Sequence, residues 1–269
     1  MSAAEAKGIA GDTPASTPMR VLILTGAGVS AESGIPTFRG KDGYWRNFDP
    51  MKLATPEAFA RDPKLVWEWY RERRESIRKA KPNAGHESIA RLSHLAGEFL
   101  LVTQNVDDLH ARGGLSKEKM VQIHGDIFVT RCSRCDCEHE DEKIPKCPDC
   151  GALMRPGVVW FGEQLDPRKI VIVEDFIAHG PCDFVIVAGT TATFGYIVDW
   201  ALRAKGKNGG LIEVNPEETS LSQFATRVVR EPAAIALPRI VHEISRTTGK
   251  ANSLSCLQDR FRAQVAGNK

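Results

Sequence analysis

Val21-Leu22-Ile23-Leu24, followed at once by Thr25-Gly26-Ala27-Gly28, is the stretch that decides the fold. A short apolar run that halts at glycines is how a parallel strand buried on both faces reads before a tight turn, and a helix is expected from about Ser30. Three similar runs follow, Phe99-Leu100-Leu101-Val102, Phe184-Val185-Ile186-Val187 and Leu211-Ile212-Glu213-Val214, with helical segments between them. Strands that alternate with helices predict an α/β, Rossmann-like parallel sheet.

Two stretches break the alternation. One spans about residues 41 to 82 and carries a helix with Trp67, Trp69 and Tyr70; the other is cysteine-rich, from about 130 to 156. Both read as insertions into a unit of about residues 19 to 250, and together they are expected to make a smaller lobe. Residues 1 to 18, rich in Ala, Gly, Ser and Thr and without Arg, read as a flexible tail, and 251 to 269 as a C-terminal helix or tail.

The chain has 269 residues, 42% hydrophobic and 26% charged, which suits one large folded domain with a small insertion. Its 36 basic and 34 acidic side chains leave a formal charge of +2, so no global field draws nucleic acid or an anionic membrane. No run approaches the roughly 18 apolar residues of a membrane span. A cytoplasmic protein that binds neither nucleic acid nor membrane is expected, with a monomer favoured.

Five of the seven cysteines lie between Cys132 and Cys150. Cys132-x-x-Cys135 and Cys147-x-x-Cys150 can each grip one side of a tetrahedral Zn2+, and four thiolates leave no place for a catalytic water, so such an ion is structural. Eleven residues separate the pairs, fewer than the roughly 15 to 20 of an ordinary two-knuckle ribbon, so a stubby hairpin is expected. Cys137 and His139 are spare ligands that leave the set open to exchange. Ordinary reduced thiols are the plain alternative, and a nucleic-acid-binding ribbon a second. Asp136, Glu138, Glu140, Asp141 and Glu142 oppose the latter by repelling phosphates.

Between a strand and a helix, a glycine turn lets backbone amides approach a pyrophosphate. Gly26-Ala27-Gly28-Val29-Ser30-Ala31-Glu32-Ser33-Gly34 has its third glycine six residues after the second, not three, so the turn alone suits a dinucleotide site or a merely tight connection. The longer segment Gly26 to Arg39, through Ile35-Pro36-Thr37-Phe38, resembles the cofactor loop of the sirtuins. Thr103-Gln104-Asn105-Val106-Asp107-Asp108-Leu109-His110, His124-Gly125 and Val158-Val159-Trp160-Phe161-Gly162-Glu163 agree in order.

The resemblance implies an NAD-dependent protein-lysine deacylase. In that reaction the acyl oxygen attacks the ribose carbon, nicotinamide leaves, and a base deprotonates a ribose hydroxyl so that the acyl group moves to ADP-ribose. It assigns the base to His124, whose residue type accepts a proton near neutral pH. It places Gly26, Ala27, Gly28, Ser30, Glu32, Ile35, Phe38, Arg39, Tyr44 and Trp45 around the cofactor, and Gln104, Asn105 and Asp107 on the nicotinamide ribose and carboxamide. Read without the family, Asn105 or Asp107 is a helix cap. Gly189, Thr190, Thr191, Asn215, Glu217 and Ala233 fall to the adenosine half. Thr191 stands where serine is usual, Glu231 where glycine is more usual, and Phe194-Gly195-Tyr196 where small residues and proline are commoner. Val158 to Glu163 is implied to pair with substrate backbone, giving affinity with little sequence selectivity.

Tyr70 and Arg73 lie three residues apart on one helix face, where a guanidinium fork and a hydroxyl can share a carboxylate. With Ala54-Thr55-Pro56 they resemble the pocket of class III sirtuins, which implies removal of succinyl, malonyl and glutaryl groups and weaker deacetylation. A solvated helix with paired charges is the plain alternative. Mono-ADP-ribosyltransfer would use the same loop, and a non-catalytic NAD- or nucleic-acid-binding adaptor would consume no cofactor.

Overall fold

A computed structural model describes residues 18–37, 49–139, 146–207 and 209–248. The chain opens with β1 (Arg20–Thr25), a 3-10 turn (Ala27–Ser33), and the helices α1 (Pro50–Leu53), α2 (Pro56–Arg61), α3 (Pro63–Lys79) and α4 (Ala84–Leu95). Then come β2 (Glu98–Thr103), α5 (Leu109–Arg112), β3 (Met120–Gln122), β4 (Gly125–Cys132), β5 (Glu138–His139) and β6 (Met154–Val158). The last elements are α6 (Pro167–Ala178), β7 (Phe184–Ala188), α7 (Gly195–Lys205), β8 (Gly210–Val214), β9 (Arg227–Val229) and α8 (Ala233–Thr248).

Six strands pair in parallel in the order β3-β2-β1-β7-β8-β9, with Ile23 of β1 between Leu101 of β2 and Ile186 of β7. Side chains alternate across a strand, so Val21 and Ile23 join Leu92 of α4 with Leu237 and Val241 of α8 on one face. Leu22 and Leu24 join Val173 of α6 and Trp200 of α7 on the other. Burial on both faces is why these strands read as unbroken apolar runs. The strand order reverses between β1 and β7, and in open parallel sheets the crevice beyond the strand ends at such a reversal takes the ligand.

The helix expected from about Ser30 is short and of the 3-10 type. The 3-10 turn Ala27–Ser33 stands there, closed by Gly34 at φ +82°, whose N–H reaches Ala31 O at 2.9 Å. The late third glycine thus ends a turn; it does not pack a long helix on the sheet.

Strands β5, β4 and β6 form an antiparallel sheet whose Ile127 and Val158 share a core with Phe59, Trp67, Trp69, Tyr70 and Ile77 of α2 and α3. Arg74, 1% exposed, is buried against β4: its guanidinium donates to the carbonyls of Ile127 (2.5 Å) and Val129 (3.0 Å) and lies over the Trp67 ring. The charged helix α3 is therefore not solvated all round. One of its arginines donates to carbonyls in the stretch of β4 where the pairing register with β6 shifts, between Gly125 and Thr130.

Candidate functional site

The crevice is closed at its floor by glycines. Gly26 N–H donates to Ala188 O (3.1 Å) and Gly28 N–H to Gly189 O (2.8 Å). A Cβ on Gly26 would fall 2.8 Å from Gly189 O, and one on Gly189, at φ +62°, would fall 2.4 Å from Val29 N. These glycines lock the loop after β1 to the loop after β7. The amides of Gly26 and Gly28 are engaged there, so a phosphate at this turn must be met by other amides.

Above the floor lies a buried polar network. Ser30 Oγ donates to Asp107 Oδ2 (3.0 Å), accepts from Asn105 Nδ2 (3.1 Å), and sits 3.3 Å from His86 Nε2. Asp107 Oδ1 accepts from Leu109 N–H (3.1 Å), the first residue of α5, while the N-cap position falls on Asp108 and not on Asn105 or Asp107. Burial raises the Asp107 carboxyl, against the two hydrogen bonds that lower it. Burial pushes His86 down to about 4 and His110 also downward. The two rings meet edge to face at 4.8 Å. Asn83 caps α4 and donates from Nδ2 to Val29 O (2.9 Å), fastening that helix to the turn. Asn83, His86 and His110 were not singled out in the sequence; the Asn83-to-His86 capping-box spacing was the available signal.

Gln104 Nε2 donates to Thr190 Oγ1 (2.8 Å), and Asn215 Nδ2 to Thr190 O (2.6 Å), joining the ends of β2, β7 and β8. Thr191 Oγ1 pairs with Thr193 Oγ1. Glu217 is exposed, its N–H held by Asn215 Oδ1 (3.2 Å). Glu32 reaches the start of α8, accepting from Ala234 N–H (3.4 Å) beside the buried Ala233. Ile35 packs against the small-lobe core. Phe38, Arg39, Tyr44 and Trp45 lie outside the described residues, as do Glu140, Asp141, Glu142 and Cys256.

His124 follows β3, at the passage from the large sheet to the small one. Its Nδ1 is 3.1 Å from Gln104 O and its Nε2 2.6 Å from the Tyr196 hydroxyl. A carbonyl only accepts, so Nδ1 carries the proton and Nε2 is the bare, basic nitrogen. Burial drives this imidazole down to about 4, Lys169 adding to the shift and the Gln104 carbonyl opposing it.

His124 O accepts from Val159 N–H (2.8 Å), and Ala54 O from Phe161 N–H (2.9 Å). With Glu163 N–H on Trp160 O (3.0 Å) and Trp160 N–H on Glu163 Oε2 (2.8 Å), four donors of the segment expected to pair with substrate are already used inside the protein. Arg155 donates to Glu163 (2.8 Å) and Val158 O (2.9 Å), and Glu163 accepts from Trp160 N–H (2.8 Å), while Gly162 turns at φ +85°. Trp160 Nε1–H donates to Tyr70 Oη (2.9 Å). The Arg73 guanidinium rests over the rings of Trp69 (4.9 Å) and Tyr70 (5.5 Å) and feels the charge of Asp107. Burial raises the Tyr70 phenol, so it stays protonated, and the Trp160 bond occupies a lone pair and leaves its proton to give. Ala54, Tyr70 and Trp160 belong to one buried cluster.

The sulfurs of Cys132 and Cys150 are 3.5 Å apart, those of Cys135 and Cys147 3.5 Å, and those of Cys135 and Cys150 3.6 Å, with all four within 4.8 Å of one another. Four Zn–S bonds of about 2.3 Å would set tetrahedral edges of about 3.8 Å, so this set fits Zn2+. Cys137 stands outside it, 3.3 Å from His139 Nε2 and near Cys147 and Asp149. No helix among the described residues is long and apolar enough to cross a membrane.

A parallel sheet with a half-buried imidazole at its crevice and a four-cysteine module that fits a metal defines the class. The crevice suits NAD by its donor set, with amide, carboxylate and imidazole groups gathered beyond the ends of β1, β2 and β7. The Sir2 family model matches residues 26–194, and the chain belongs to that family. It is 44% identical over 232 residues to the NAD-dependent protein deacylase 1 of Archaeoglobus fulgidus, across 84% of this chain and 93% of that one. With the NAD-dependent protein deacylase of Aquifex aeolicus it shares 44% over 228 residues, 82% and 94% of the two chains. Its fold matches a Sir2 homologue–NAD complex at TM-score 0.78 and 42% identity (86% and 91% covered), and a Sir2–p53 peptide–NAD+ complex at 0.70 and 28% (85% and 94%).

Proposed function

We propose that this chain is an NAD-dependent protein-lysine deacylase that prefers succinyl and malonyl groups, with glutaryl accepted and acetyl removed more slowly. Acylated lysines of proteins are its substrates. NAD, when bound, supplies the ribose carbon that receives the acyl group as nicotinamide leaves. His124 takes the proton of a ribose hydroxyl at Nε2, the nitrogen that the Gln104 carbonyl leaves bare. Ser30, Gln104, Asn105 and Asp107 orient the ribose end, and Gly189, Thr190, Thr191, Asn215, Glu217 and Ala233 serve the adenosine end. A substrate peptide pairs with groups of Val158 to Glu163 other than the amides of Val159, Trp160, Phe161 and Glu163.

The acidic preference rests on one observation: the Tyr70 hydroxyl, with its proton unspent, stands beside the Arg73 guanidinium in the cluster that holds Ala54. A carboxylate placed there receives one hydrogen bond from Tyr70 and a charge-assisted pair from Arg73; an acetyl methyl receives neither. The unit acts as residues 19 to 250, with insertions at about 41–82 and 130–156. Its free thiols suit a reducing compartment such as the cytoplasm.

The test is nicotinamide release and deacylated product over a panel of acyl-lysine peptides, for wild type and Arg73→Met. Succinyl turnover in the variant is expected to fall about ten- to a hundredfold, the worth of a lost hydrogen bond to a charged group, with acetyl turnover held or raised. Equal losses on both substrates would remove the pocket assignment.

A further inference from the structure

His124 Nε2, the nitrogen that must take the proton, is already occupied at 2.6 Å by the Tyr196 hydroxyl. Tyr196 lies in the first turn of α7 and is held in an aromatic ladder. Its ring stacks on Phe194 (5.6 Å, 19°) and tilts against Trp200 (5.0 Å), whose Nε1–H is fixed by Glu174 (2.8 Å). Phe194 in turn meets the His124 ring edge to face at 5.6 Å. Phe194 and Tyr196 flank Gly195, the first residue of α7, so the start of that helix carries both rings to the imidazole.

We propose that Tyr196 is a positioning residue that caps the basic nitrogen of His124 in the free protein and must yield it to the ribose hydroxyl of NAD. The inference rests on the deacylase reading. Nδ1 is engaged with Gln104 O and Nε2 has a single lone pair, so the phenol and a ribose hydroxyl are alternatives at that atom. Burial pushes the pKa of the Tyr196 phenol up, which keeps the phenol a donor and excludes it as a base. The groups facing the ring act together: Tyr196 from α7 donates to the neutral form, and Lys169 from α6, anchored on Gln122 O at 2.7 Å, repels the charged form. Asp166, Glu138 and Asp126 face Lys169 and favour its charged form, against the burial that lowers it. The cap therefore keeps the base neutral and correctly tautomerised, at the expense of competing with the cofactor.

Tyr196→Phe keeps the ring ladder and removes the hydroxyl. Two measurements on the free protein are needed, neither depending on turnover: NAD and ADP-ribose affinity by calorimetry, and the titration midpoint of the His124 imidazole by NMR. Affinity is expected to tighten about two- to tenfold, the net worth of one hydrogen bond, the KM for NAD to fall, and the His124 midpoint to move up. Tyr196→Leu, with melting followed to confirm the fold, should shift the midpoint the same way. An unmoved midpoint, or NAD affinity that is unchanged or weaker in Tyr196→Phe, overturns the cap. A wild type that binds NAD but yields no deacylated peptide would sink the deacylase reading and leave the cap standing on its own measurements.

Discussion

The crevice and the acyl end of the site are built in opposite ways. Around His124 the groups come from different strand ends, several of them fixed by main chain: the Gln104 carbonyl sets the imidazole, Thr190 O holds Asn215, and Gly189 carries the floor. At the acyl end Tyr70 and Arg73 come from one helix and are placed by side-chain packing on Trp69 and Trp160. A site made of main chain from distant segments tolerates little exchange, because each group depends on the sheet. A pocket on one helix can change its chemistry by side-chain substitution without touching the base. On this comparison the proposed base depends on the sheet and the proposed acyl preference on α3.

The comparison is struck hardest at His124. Removing a general base costs on the order of a hundred- to ten-thousandfold, so His124→Ala should lose deacylated product by that factor on succinyl and acetyl peptides alike. Arg73→Met, by contrast, should separate them. Because His124 is lowered to about 4, the base stays neutral well below its ordinary value of about 6.5, and kcat/KM should hold until pH falls through that low region. The same shift bears on stability. Between about pH 6.5 and 4 the unfolded chain binds protons at His86 and His124 that the folded chain refuses, so stability declines as pH is lowered through this window. A melting-temperature series from pH 7 to 4 on His124→Ala should show a shallower decline than wild type; an identical slope would contradict the burial argument.

Next in size is the glycine floor. Gly189→Ala places a Cβ 2.4 Å from Val29 N in a left-handed backbone conformation. Left-handed strain and overpacking together suggest about 2–5 kcal/mol of lost stability. Chemical denaturation measures it, and NAD affinity should fall with it because both loops move. A loss below about 0.5 kcal/mol, the scatter of ordinary surface changes, would mean that the two loops are not locked together.

What could be read before the structure follows the same division. Apolar runs such as Val21–Leu24 are local and identify the sheet; Cys132-x-x-Cys135 and Cys147-x-x-Cys150 are local and identify the metal module. The ordered family blocks located His124 and the strand-end residues. What the chain did not disclose needs pairing over long separations. Gly28 needs Gly189, and Ser30 needs His86 and Asp107, neither of which lies near it in sequence. Arg74 looks like one more charge in Arg71-Glu72-Arg73-Arg74, and only the β4 carbonyls at the register shift explain its burial. The 3-10 turn escaped because the apolar pattern after Gly28 suits either helix type, and the decision falls to Gly34.

The smallest expected effect tests whether the division extends to the rim of the crevice. Glu32 was assigned to the cofactor, yet its carboxylate accepts from Ala234 N–H at 3.4 Å, at the positive end of α8. A carboxylate there stabilises a helix by about 0.3–1 kcal/mol when exposed and is screened by salt. Glu32→Gln should therefore cost no more than that in denaturation at low ionic strength, and the difference should shrink in high salt. If Glu32 holds only α8, NAD affinity stays within twofold of wild type. A larger loss would show that this carboxylate, set beside Ala233, acts on the cofactor itself, and that the rim, like the floor, draws on residues far apart in the chain.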